Sequence, residues 1–130
     1  MTGILLVTHG QVGDALLDSA KSILGNITAP IATLSVKKTK KTQRIIAKAH
    51  QLLKKVDDGD GVLVLTDLYG ATPHNLCKQF ADGHKVCTVS GLNISMLLRT
   101  LNYAHCSLKE LANKAEQGGH TGIACQAGLA

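Results

Sequence analysis

The chain of 130 residues has no tryptophan and three aromatic side chains, Tyr69, Phe80 and Tyr103. Proteins that hold single-stranded nucleic acid stack bases on aromatic faces, so such a platform is not expected. No apolar run approaches the roughly 20 residues that span a bilayer. Met1–Val7 lacks a basic start and is cut off by His9-Gly10, too short for a signal-peptide core. The expectation is a soluble, cytoplasmic protein. Cys77, Cys87, Cys106 and Cys125 lie ten or more positions apart, without a C-x-x-C pair. Neither a zinc ribbon nor a thioredoxin-type redox site is indicated, and the four read as reduced, mostly buried thiols.

Acidic residues are missing from one long stretch. Between Ile31 and Val56 there are eight basic side chains (Lys37, Lys38, Lys40, Lys41, Arg44, Lys48, Lys54, Lys55) and no carboxylate. The remainder holds six basic and nine acidic residues, a net of −3, so the formal +5 of the chain is local. Ile45, Ile46, Ala49, Leu52, Leu53 and Val56 recur at helical spacing within that stretch. It reads as an amphipathic helix with a cationic outer face, either merely solvated or a docking surface for an acidic partner.

What is present in quantity is apolar sequence. Hydrophobic residues make up 45% and charged residues 18%, a composition that excludes disorder and suits one domain over residues 1–130. Ile4–Thr8, Ile31–Val36, Val62–Thr66 and Lys85–Val89 read as strands, the first and third apolar enough to be buried on both faces. Helical patterns fill Asp14–Leu24, with Ala15, Leu16, Ala20, Ile23 and Leu24 on one face, and about Lys40 to Val56. A third helix starts at Thr72-Pro73, an N-cap followed by proline at the first helical position, and runs to about Ala81. Asn93–Leu101 and Ser107–Glu116 follow, the latter with Ser107 and Glu110 as a capping box. Gly118-Gly119 is expected to break the chain before a short β-like segment, His120–Gln126. The alternation implies an α/β, three-layer, doubly wound sheet, mainly parallel and four-stranded. With strand order 2-1-3-4, a ligand belongs beyond the carboxyl ends of the first and third strands.

His9 ends the first strand and Asp67 the third. An aspartate there can accept the proton of one imidazole nitrogen, fixing the tautomer and leaving the other nitrogen as nucleophile. No activated serine or cysteine accompanies the pair, and imidazole attacks phosphorus readily. Gly70-Ala71-Thr72 leads into a helix N-terminus, whose free N–H groups and dipole suit phosphate. The residues therefore fit a phosphohistidine relay better than acyl transfer, set against the bland reading of a satisfied strand-end histidine. His74, in the first turn after Pro73, is either a lining residue or an exposed helix residue, and Ser90-Gly91 and Asn93 either rim the cleft or turn the chain. His50, His84, His105 and His120 show no ligand spacing, so neither metal nor cofactor is expected.

Three segments, Ile4–Gly10 (ILLVTHG), Val62–Asn75 (VLVLTDLYGATPHN) and Val89–Leu98 (VSGLNISMLL), resemble the IIA component of the mannose family of the phosphoenolpyruvate-dependent sugar phosphotransferase system. The match covers nearly the whole chain, with the motifs in order and properly separated. It departs mildly at Gly70-Ala71-Thr72-Pro73, where the family often has Gly-Gly-Ser-Pro, and in its basic rather than acidic second helix. The resemblance implies a cytoplasmic phosphocarrier, a phosphotransferase that accepts a phosphoryl group from phospho-HPr on His9 and passes it to a IIB component. It implies that Asp67 holds the other nitrogen and that Gly70, Ala71 and Thr72 embrace the phosphate. It also implies a homodimer that exchanges its C-terminal edge strand, here about His120–Gln126, and contact with a membrane only indirectly, through a permease. The roles open to such a chain are sugar uptake and phosphorylation-dependent regulation. The phosphotransferase subunit of dihydroxyacetone kinase, which shares an early strand-end histidine, ranks second within the superfamily. The alternative from another class is a non-catalytic, flavodoxin-like module that binds an anionic ligand or nucleic acid through Ile31–Val56.

Overall fold

A computed structural model describes residues 1–37, 41–68 and 83–128. Strands β1 (Gly3–His9), β2 (Ile31–Val36), β3 (Val62–Thr66) and β4 (Val86–Ser90) form one parallel sheet in the order β2-β1-β3-β4. The described helices are α1 (Val12–Leu24), α2 (Thr42–Val56), α3 (Ile94–Asn102) and α4 (Leu108–Thr121). The helix expected from Thr72 to Ala81 lies outside the described residues, as do Cys77 and His74.

The two central strands are the apolar runs. Ile4, Leu5, Leu6, Val7, Val62, Leu63, Val64 and Leu65 are all fully buried. Each such side chain contributes about 1.5–3 kcal/mol by leaving water. Alternation along the strands divides them between two cores. Leu5, Val7, Val62 and Val64 meet Ile45, Ala49, Leu52, Leu53 and Val56 of α2 on one face. Ile4, Leu6, Leu63 and Leu65 meet Ala20 of α1, Met96 and Leu97 of α3, and Leu111 and Ala115 of α4 on the other. This is the three-layer, doubly wound arrangement. Helix α1 is turned from its expected orientation: Ala15 is exposed and Ile23 60% exposed, while Leu16, Leu17 and Ala20 face the core.

The C-terminal expectation is corrected. Gly118 and Gly119 do not break the chain; α4 runs through both and takes in His120 and Thr121. The two glycines are buried where α4 crosses α3, and a Cβ at Gly118 would sit 2.6 Å from the Arg99 Cβ. They are glycine because two helices approach closely, not because the chain bends there. Within this single chain no residue from Gly122 to Gly128 is in a strand, and β2 and β4 are the outer strands among the described residues; exchange of a C-terminal strand with a second copy is not shown. Of the described cysteines, Cys87 and Cys106 are half-buried but Cys125 is exposed, against the expectation of mostly buried thiols.

Helix α2 is electrostatically unlike α1 and α4. Helices α1 and α4 carry Asp14 and Glu110 in their first turns, and Ser107 caps α4 by accepting from the Glu110 N–H. In α2 the N-cap is Lys41, with no side-chain hydrogen bond, and the first turn has no acid. A cation at the positive end of a helix is unfavourable by about 0.3–1 kcal/mol. Among the described residues no helix is long and apolar enough to cross a membrane.

Candidate functional site

The parallel register places the ends of β1, β2 and β3 along one sheet edge. His9 faces Val36 across the β1–β2 ladder, and Val7 faces Thr66, the residue before Asp67. The strand ends therefore bring His9 and Asp67 together across 58 positions of sequence. The His9 Nδ1 lies 3.2 Å from Asp67 Oδ1 and 3.1 Å from Oδ2, and the His9 backbone N–H donates to Oδ2 at 3.1 Å. A carboxylate so placed accepts from Nδ1–H and leaves Nε2 with its lone pair free. The His9 side chain is 45% exposed and that of Asp67 only 14%, so the acid is covered and the base open.

The turn after His9 is held from three sides. Gly10 has φ of +46°, a left-handed conformation that favours glycine and reverses the chain directly behind the histidine. The Ser35 hydroxyl donates to the Gly10 carbonyl from β2. The Thr8 hydroxyl accepts from the Gly13 N–H at 2.8 Å, fixing the start of α1. Sequence reasoning passed over both hydroxyls; the signal was a hydroxyl beside His9 and another at the end of the neighbouring strand.

Other candidates separate. Gly70, Ala71 and Thr72 lie outside the described residues. Asn93 caps α3, accepting from the Met96 N–H at 2.8 Å, and its amide donates to the Gly119 carbonyl at 3.1 Å, so its role is to tie α4 to the end of β4. Ser90, Gly91 and Asn93 also line a cavity of about 300 Å³ together with Glu116 and His120. That cavity does not include His9 or Asp67, so it is separate from the strand-end pair. Among the described residues no group of three His, Cys, Asp or Glu is placed to hold a metal ion.

With this geometry, the comparisons with known proteins are decisive. A family model described as "PTS system fructose IIA component", the EIIA-man family, matches residues 3–116. The chain belongs to the mannose-type IIA family of the phosphotransferase system. It is similar to the fructose-specific EIIA component of Bacillus subtilis, 32% identical over 115 residues, which are 87% of this chain and 78% of that protein. It is 29% identical to the mannose-specific EIIAB component of Escherichia coli (strain K12) over 92% of this chain, yet spans only 38% of that longer protein. The crystal structure of EIIA from Streptococcus agalactiae superposes with a TM-score of 0.85 at 26% identity, covering 96% of this chain and 97% of that one. Membership supports a phosphocarrier role in the sugar phosphotransferase system and makes HPr and IIB components the partners to consider. It does not favour the binding-module alternative.

Proposed function

We propose that this IIA-family chain carries a phosphoryl group on the Nε2 of His9, taking it from phospho-HPr and handing it to a IIB component. The observation that supports this most is the pairing of an exposed His9 with a covered Asp67 at the carboxyl edge of the sheet. In the forward step the Nε2 lone pair forms a P–N bond to the incoming phosphorus while the donor's own P–N bond breaks. The donor imidazole leaves with that electron pair. The His9 Nδ1 proton stays on His9, hydrogen-bonded to Asp67, whose charge offsets the positive charge the ring gains on phosphorylation. The second transfer repeats the exchange, with the nucleophile of the IIB component attacking. Gly70, Ala71 and Thr72 are assigned to the phosphate oxygens on the strength of the family motif.

This reading includes a homodimer. Its support is the outer edge of β4, which has no strand partner among the described residues, beside an exposed tail in which Ile123 is 76% exposed. An open strand edge of this kind is a template for another chain. Light scattering at micromolar concentration is expected to give twice the chain mass, and a monomer would remove this part of the reading.

The direct test incubates the protein with phosphoenolpyruvate, Enzyme I and HPr. One acid-labile phosphate per chain is expected, and His9→Ala is expected to take up none while keeping its fold by circular dichroism. Normal uptake by that variant contradicts the assignment.

A further inference from the structure

The cationic residues of α2 are not spread evenly about the molecule. Val56, the last residue of α2, packs against Gly3 at the start of β1, so the helix runs antiparallel to the strands and begins at the edge that carries His9. Lys37 directly follows Val36, the residue His9 faces across the ladder. Lys41, Arg44 and Lys48 are all exposed and stand at spacings of three and four, which puts them on one stripe of the helix, flanking the buried face of Ile45, Ala49, Leu52 and Val56. From Lys41 to Lys48 the stripe covers about 10 Å of helix, the half nearest the catalytic edge.

No carboxylate of the helix offsets these charges, because none occurs between Ile31 and Val56. Among the described residues, ion pairs form at the Met1 amine, His9 and His84, and none at Lys41, Arg44 or Lys48. Lys41 and Arg44 moreover sit at the positive end of the helix dipole, where helix stability selects acids. Lys41 and Arg44 are thus held where the helix does not favour them, on the side of His9, as a surface for a partner of opposite charge would require.

We infer that Lys37, Lys41, Arg44 and Lys48 form the docking surface for an acidic protein face, that of the protein which exchanges the phosphoryl group with His9. The inference rests on the functional reading above. Transfer between two proteins requires their reacting groups to touch, so the partner must cover the rim of the site, where the stripe begins. A brief encounter of this kind draws its speed from charge complementarity. A protein face fits better than nucleic acid, since the stripe is short and shares its edge with a phosphoryl-transfer site.

The test measures second-order phosphoryl transfer from HPr to this chain, and from this chain to the IIB component, with both partners from the source organism. The variant K41Q/R44Q/K48Q is compared with K54Q/K55Q/K85Q, which removes three exposed cations elsewhere. For the stripe variant, at least one transfer is expected to slow roughly tenfold at low salt, and the gap to close near 0.5 M salt. The control is expected to stay within about twofold. The stripe variant is expected to melt no lower than wild type, since it removes cations from a helix N-terminus. Equal rates for both variants in both transfers overturn the inference while leaving the phosphocarrier reading intact. A wild-type chain that takes up no phosphate overturns both. Tight binding of a labelled DNA duplex that is lost in the stripe variant reassigns the surface to nucleic acid and overturns it as well.

Discussion

Two histidine–aspartate pairs sit at opposite edges of one sheet. At the carboxyl edge His9 meets Asp67; at the amino edge His84, just before β4, meets Asp57, just after α2. The aspartates are equally covered, at 14% and 13% exposure, and both pairs use Nδ1. The amino-edge pair is the tighter, 2.7 Å against 3.1 Å. What differs is the histidine, 45% exposed at His9 and 18% at His84, and the work its aspartate does. Asp57 also accepts from the Gly59 and Gly61 N–H groups at 2.9 and 3.1 Å, so it closes the turn that leads into β3. A short His–Asp contact thus does not by itself mark a reactive site. On the proposed reading it is the open Nε2 at the ligand-binding edge of the parallel sheet that sets His9 apart.

The sharpest way to break this contrast is to remove each histidine in turn. His9→Ala is expected to lose phosphate uptake entirely, whereas His84→Ala keeps it within about twofold and loses stability instead. Phosphorylation assays and thermal melts on the two variants check both halves. Asp67→Ala is expected to slow transfer by roughly 10²-fold without abolishing it, because orientation is lost while the nucleophile remains. An unchanged rate would remove Asp67 from the mechanism.

Asp57→Ala is expected to cost about 1–3 kcal/mol, since two turn N–H groups and His84 lose their acceptor. Denaturant unfolding measures it, with transfer per folded molecule unaffected. The smallest effect is in pH. The His84 hydrogen bond first, and then the Gly59 N–H, hold the Asp57 carboxyl below its ordinary value of 3.8. A depressed folded-state value means that the stabilisation is complete above about pH 4 and is lost as pH falls through the folded value. Asp57→Asn is therefore expected to have a flatter acid limb of stability than wild type. Parallel limbs would show that Asp57 is not linked to folding in this way.

Much of this was legible in sequence, and the residues show why. Ile4–Val7 and Val62–Leu65 are apolar without alternation, a pattern that only a strand covered on both faces explains, and the two strands brought their terminal His9 and Asp67 together as expected. The boundaries of β2 and β3 fell where expected, and those of β1 and β4 moved by one residue at each end. Gly118-Gly119 misled because glycine marks both chain breaks and close helix crossings, and only the packing of Arg99 and Met96 decides between them. The His84–Asp57 pair was invisible because it depends on two turns meeting 27 positions apart, with no strand register to predict it. The orientation of α1 was misjudged because Ala15 and Ile23 fit an apolar stripe as well as Leu17 does, and the neighbouring layer makes the choice. The basic stretch was read correctly as a helix with a cationic outer face, but its bias toward the His9 edge needed the direction of α2.

On the proposed reading, exposure and position, rather than the tightness of the pair, decide which histidine carries phosphate. That claim is tested most directly by phosphorylating the wild-type protein with phosphoenolpyruvate, Enzyme I and HPr, then locating the phosphate by proton–nitrogen NMR of the imidazole rings. The account predicts a single phosphorylated ring, His9, bonded through Nε2 with Nδ1 still protonated, and an unaltered His84. Phosphate on His84, on the Nδ1 of His9, or on neither ring would contradict it.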